Sequence, residues 1–143
     1  MSSTTKSTQL SGTGKDAIKV SPLRILGAAA AALVLNILAL SIGSAAGASM
    51  KVSAPQSINM ISVGVATVVP LLLAGAVVWF LARFFALRRL IAWVGLIFAL
   101  LSSAGSFMAA ADTTTALALA SMHFITGFAW FIALQPWVKA VRS

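Results

Sequence analysis

The stretch AADTTTALALASMHFITGFAWF, residues 110–131, decides how this chain is read. It opens on a single carboxylate, Asp112, passes three threonines, and then runs apolar to Phe131 around the only histidine, His123. The residues before it, LIAWVGLIFALLSSAGSFMA over 90–109, are equally apolar. Two runs of this kind meet across a short turn, and about 20 apolar residues are what a helix needs to cross a bilayer.

Composition points the same way. Of 143 residues, 60% are hydrophobic and 8% charged, with a mean hydropathy of +1.03, whereas a soluble domain carries roughly 25% charged residues. Lipid must be the solvent for most of the chain. The formal charge of +8 comes from ten Lys and Arg against two acidic residues. In a soluble protein that excess suggests nucleic acid. Here the cations flank apolar runs and no basic-aromatic stripe exists, so nucleic-acid binding is rejected. Anionic lipid headgroups are the expected counterpart, through Arg83, Arg88 and Arg89. The absence of Cys removes disulfides, thiolate metal sites and a thiol nucleophile.

Four runs have spanning length, at about 23–46, 58–82, 90–109 and 115–137. Backbone groups cannot go unpaired in hydrocarbon, so each is expected to be helical. The reading is an all-α bundle of four transmembrane helices in one domain over 23–138. Residues 1–22, rich in Ser, Thr, Gly and Lys, are expected to form a disordered cytoplasmic tail, and 139–143 a short one. SAAGAS at the end of the first run could pass for a signal-cleavage site, but the run is long enough to remain as a helix. Of the ten cations, only Lys51 falls in the linker after the first helix; the rest gather at the N-terminus, the middle linker and the C-terminus. The positive-inside rule then puts both termini in the cytoplasm, in a plasma membrane. Trp93 and Trp137 sit near helix ends as interfacial anchors, while Trp79 and Trp130 read equally as lipid-facing bulk.

Hydrophobicity does not join helices inside lipid; close approach of small residues and hydrogen bonds do. Gly43 and Gly47 form a G-x-x-x-G in the first helix, and Ala116, Ala120 and Gly127 share a face of the fourth with His123. These are the expected packing positions, inside the chain or against a second copy. Pro70 lies near the middle of the second helix, where it removes a backbone donor and bends the helix, freeing the carbonyl near Ala66.

The polar residues define the candidate site. Asn36 is some 20 Å from the cytoplasmic end of its helix, and His123 some 12 Å from the opposite end of its own, which brings them to similar depth in a core about 30 Å thick. Thr67 is near that level. Two readings remain open. The three residues wall a shallow, outward-facing polar pocket lined by hydroxyls, or they hydrogen-bond one another and the preceding helical turn as bundle filling. Asp112, ahead of Thr113–Thr115, is expected to cap the fourth helix. It is eleven residues from His123, about 16 Å of helical rise, so the two make no dyad. No catalytic set, metal ligand set or cofactor motif is present: one histidine without a membrane-embedded carboxylate does not build a zinc site, and nothing sets a nucleophile against His123.

With the four spans, Asn36, VATVVPLLLAGAV and ADTTTALALASMHF in view, the chain resembles the small four-helix integral membrane proteins of actinobacteria grouped as a domain of unknown function. The similarity covers about 23–138 and rests on Asp112-Thr-Thr-Thr leading to Met122-His123, on Asn36, and on Thr67 with Pro70. The resemblance implies a four-helix membrane domain in an actinobacterial plasma membrane and supplies no activity, cofactor or substrate.

The function expected from these observations is that of a non-enzymatic membrane protein. Its first form is an accessory subunit that packs against other membrane proteins or a second copy of itself. The alternative is a binder or transporter of a small molecule or lipid, using the pocket around Asn36 and His123.

Overall fold

The computed structural model describes residues 21–53, 58–81 and 85–135, the residues 85 and 86 by backbone alone. The tail over 1–20, Arg83, the anchor at Trp137 and the closing segment 139–143 lie outside the described residues. Four helices follow one another: α1 (Pro22–Ala45), α2 (Met60–Leu81), α3 (Phe85–Ala109) and α4 (Thr113–Leu134). Each is long and apolar enough to cross a membrane. Among the described residues there is no strand, only an isolated antiparallel bridge between Val52 and Ala110.

The helix ends have local causes. Pro22 occupies the first turn of α1, where its missing N–H costs nothing. Gly47 follows that helix at φ +88°, and Ala48 N donates to Gly43 O at 3.0 Å, a glycine-dependent C-terminal turn. Gly47 therefore serves the turn and has open space around it; it is not the packing residue that the G-x-x-x-G spacing suggested. Asn59 Oδ1 accepts from Ser62 N, and Asn59 N donates to Ser62 Oγ, both at 2.9 Å, a reciprocal cap at the start of α2. α3 starts five residues earlier than expected, so Arg88 and Arg89 belong to the helix and not to a linker. α4 stops at Leu134, with Gln135 extended, because the residue before a proline disfavours helical geometry and Pro136 comes next.

α4 packs along both α3 and α1, and α1 packs along α2, whereas α2 and α3 hardly meet. The bundle is thus an open ring in the order α2, α1, α4, α3. Small residues set the closed seams. A Cβ on Gly43 would lie 2.8 Å from both Ala118 Cβ and Met50 Cε; one on Gly75, 2.6 Å from Ile25; one on Gly127, 2.6 Å from Ala99 Cβ. Ala116 and Ala120 are buried in α4. Trp130 is buried too, because Gly95 leaves space for its indole, so it is not lipid-facing bulk. Trp79 is exposed, and Trp93 is partly exposed with its ring edge against Phe131 at 4.8 Å.

Burial is inverted relative to a soluble protein. Large residues such as Leu101, Phe98 and Met108 face outward, while Asn36, Thr67, Ser103, Ser106 and Thr115 are buried. Lipid solvates apolar side chains and offers no hydrogen bonds, so polar groups turn inward.

The seams make a measurable prediction. Gly127→Leu should destabilise the bundle by about 1–3 kcal/mol, seen as a lower unfolding midpoint by circular dichroism in detergent. Gly105→Leu, with nothing within 4 Å of where a Cβ would lie, should leave the midpoint unchanged. Equal midpoints for the two variants would contradict the close α3–α4 approach.

Candidate functional site

The buried stripe of α1 runs Ile25, Ala29, Ala32, Asn36, Leu40, Gly43, at spacings of three or four. One helical face thus carries an amide into the middle of the bundle. Asn36 is only 2% exposed. Its Nδ2 donates to Thr67 Oγ1 on α2 at 2.8 Å and to Thr126 Oγ1 on α4 at 3.0 Å. The carboxamide therefore joins three helices. Its Oδ1 is buried without a hydrogen-bond partner, a condition that costs roughly 1–3 kcal/mol for a buried acceptor. An apolar cluster lies on either side of this layer, one around Leu71, Val78 and Trp130, the other around Leu40, Val63 and Met122.

His123 is half-buried, and its Nδ1 lies 2.9 Å from Leu119 O. A carbonyl only accepts, so Nδ1 carries the proton, and Nε2 of the neutral ring is an acceptor. Ser41, Ser103 and Ser121 likewise donate to carbonyls of the preceding turn, Ile37 O, Leu100 O and Ala118 O.

Where α2 and α3 part, the structure has a groove of about 680 Å³. α2 and α3 form its walls, with Ala66, Thr67 and Pro70 on one side and Val94, Phe98 and Ser102 on the other. Asn36 and one face of α4, including His123, Thr126 and Trp130, form its floor. Val94, Phe98 and Ala66 are exposed although they line it, so the groove opens to the surroundings between the two walls. Asn36, Thr67 and His123 thus border one space. Its shape differs from the shallow hydroxyl-lined pocket expected from sequence. Along α4 it runs from Leu119 to Trp130, about 16 Å of helix, and its lining is mainly apolar. No Lys, Arg, Asp or Glu lines it among the described residues.

Both ends of the bundle are tied. At one, Asp112 caps α4: its Oδ1 accepts from Thr115 N at 2.7 Å and its Oδ2 from Thr115 Oγ1 at 2.7 Å. Oδ2 also accepts from Ser49 N at 3.2 Å and from Ser49 Oγ. Met50, at φ 54°, donates its N–H to Thr115 Oγ1 at 3.0 Å, and Ala111 N donates to Lys51 O at 3.0 Å. The carboxylate therefore holds the α1–α2 connection as well as its own helix. At the other end two arginines meet the C-terminal carbonyls of α4: Arg24 Nη2 donates to Ile132 O at 3.0 Å, and Arg88 Nε to Leu134 O at 2.6 Å. Cations there also face the negative end of the helix dipole. Arg88 is buried in this contact, unlike the headgroup-facing residue expected beside Arg83 and Arg89; Arg89 is exposed.

Several of these residues escaped the sequence reading. Trp130 as a groove wall was signalled only by Gly95, on another helix. Ser49 carries no local pattern that points to Asp112. The pairing of Asn59 with Ser62 was missed as well, although an Asn ahead of an apolar run with a hydroxyl three residues on is its local signal.

Fold and groove together define a small multi-pass membrane protein with a lateral, uncharged cleft. The chain belongs to DUF6069, a family of unknown function, whose family model matches residues 18–140. No curated protein and no solved structure matches it.

The hydrogen bond from Ser49 Oγ, followed by those from Thr115, holds the Asp112 carboxyl well below the usual carboxylate range. A folded-state pKa below the unfolded one means that its contribution is complete above about pH 4 and is lost as pH falls through the folded value. Thermal midpoints should accordingly fall on acidification below about pH 4. Asp112→Asn should melt lower at neutral pH and show a flatter acid limb; an unchanged limb would remove Asp112 as its source.

Proposed function

We propose that this protein is a non-enzymatic, multi-pass protein of the plasma membrane that binds a lipid-sized molecule in the groove between α2 and α3. The observation that carries this reading is the groove itself, about 680 Å³, within the roughly 300–1,000 Å³ of small-molecule sites and, like them, apolar with a few convergent polar groups. Its opening lies along the helices, so an occupant enters sideways from the bilayer.

The accessory-subunit reading has less support. Of the small residues that motivated it, Gly43 is taken up inside the chain by Ala118 and Gly127 by Ala99. The proposal keeps both termini in the cytoplasm, because the sequence gathers its cations on that side, with Lys51 opposite. Arg89, exposed at the cationic end, is suited to anionic headgroups, and an actinobacterial membrane is the setting implied by the resemblance.

Protein extracted gently from native membranes should carry one lipid-sized molecule in native mass spectrometry. Ala66→Phe on one wall, or Ser102→Phe on the other, should remove it while the protein stays monodisperse and helical. A native protein that carries no such molecule and takes up none from added membrane lipid would refute the groove as a binding site. Orientation has its own check: reporter fusions at Lys51 and Ser143 should localise to opposite faces, and localisation to one face would overturn it.

A further inference from the structure

We infer that the groove selects a neutral lipid whose head donates a hydrogen bond, in chemical class a long-chain alcohol, with the hydroxyl donating to His123 Nε2 near the level of the Asn36 layer. This inference rests on the groove reading above and names what occupies it.

Beside the hydroxyls of Thr67, Ser102 and Thr126, acceptors without a donor border the groove. Asn36 spends both Nδ2 hydrogen bonds on Thr67 and Thr126, and its Oδ1 has no partner. His123 spends its proton on Leu119 O, which leaves Nε2 to accept. Pro70 has no N–H, so the carbonyl of Ala66, also on the groove, lacks the donor that residue i+4 supplies elsewhere in a helix. Trp130 Nε1, a donor on the wall, is engaged with Ile91 O at 3.3 Å. Two of the acceptor-bearing residues are close in level. Thr126, bonded to Asn36, is three residues from His123 on α4, about 4.5 Å of rise. A hydroxyl that donates to His123 Nε2 therefore sits close to the level of the Asn36 layer.

Charge narrows the class. No cation among the described lining residues meets a phosphate, and no carboxylate meets an ammonium. Either ion, unpaired inside the bilayer, is costly. A hydroxyl supplies the missing proton without a charge. The apolar remainder of the groove, from Leu71 and Ala74 to Ile91 and Val94, takes the hydrocarbon chain.

The test uses the full chain in nonionic detergent, with four probes of equal chain length: hexadecanol, hexadecyl methyl ether, hexadecylamine and hexadecyl phosphate. Occupancy is read by native mass spectrometry across a concentration series. Hexadecanol should bind roughly tenfold more tightly than its ether, which keeps the oxygen and loses the proton, and more tightly than either ion. His123→Phe should bring the alcohol down toward the ether while leaving ether binding in place. Ether binding as tight as alcohol binding, tighter binding of the amine or the phosphate, or an alcohol preference that survives in His123→Phe would overturn the inference and leave the groove standing. If none of the four probes binds, the groove reading falls, and this inference with it.

Discussion

The amide of Asn36 is the contact on which the arrangement of the helices depends. In hydrocarbon, apolar surface gains nothing by leaving lipid for protein, so helix association falls to close packing and to polar groups that have no other partner. Asn36 places one such group at the centre and satisfies it on two sides, at Thr67 and Thr126. Interhelical bonds of this kind average only about 0.6 kcal/mol in membranes. Their larger effect is on register, because an amide displaced by one helical turn loses both hydroxyls at once. The Asn36 layer thereby aligns α2 and α4 against α1 and leaves the two apolar clusters above and below it.

The open side of the ring follows from where the small residues lie. α1 and α4 approach closely at Gly43 and Ala118, α4 and α3 at Gly127 and Ala99, α1 and α2 at Gly75 and Ile25. Between α2 and α3 the facing positions include Val94 and Phe98 on one side and Pro70 on the other. No glycine of either helix makes a close approach to the other, as happens at the three closed seams. The groove is thus a product of the same packing rule that closes the other three seams.

The number, type and approximate extent of the helices were legible, because an apolar run of spanning length has few ways to satisfy its backbone. Asn36, Thr67 and His123 were legible too, since a polar residue stands out against hydrocarbon. The boundaries were less so. Arg88 reads as a linker cation until Leu134 O is seen beside it, and Gly47 reads as half of a packing motif until its positive φ shows a turn. Trp130 and Trp79 have similar apolar surroundings in the sequence, yet one is buried and one is exposed. Hydropathy does not separate a side chain that faces lipid from one that faces a groove, and the gap between α2 and α3 is a relation between segments that no local pattern encodes.

The hydrogen bonds at the two ends of the bundle are unevenly shared. α1 and α4 are latched to each other at both extremes, by Arg24 to Ile132 and through Ser49 to Asp112, so together they make a stiff spine. α3 is fastened to that spine by its long seam and by Arg88. α2 leans mainly on α1, and Pro70 interrupts its backbone ladder about halfway along. α2 is therefore the least braced of the four helices, and the side of the ring that it borders is the open one.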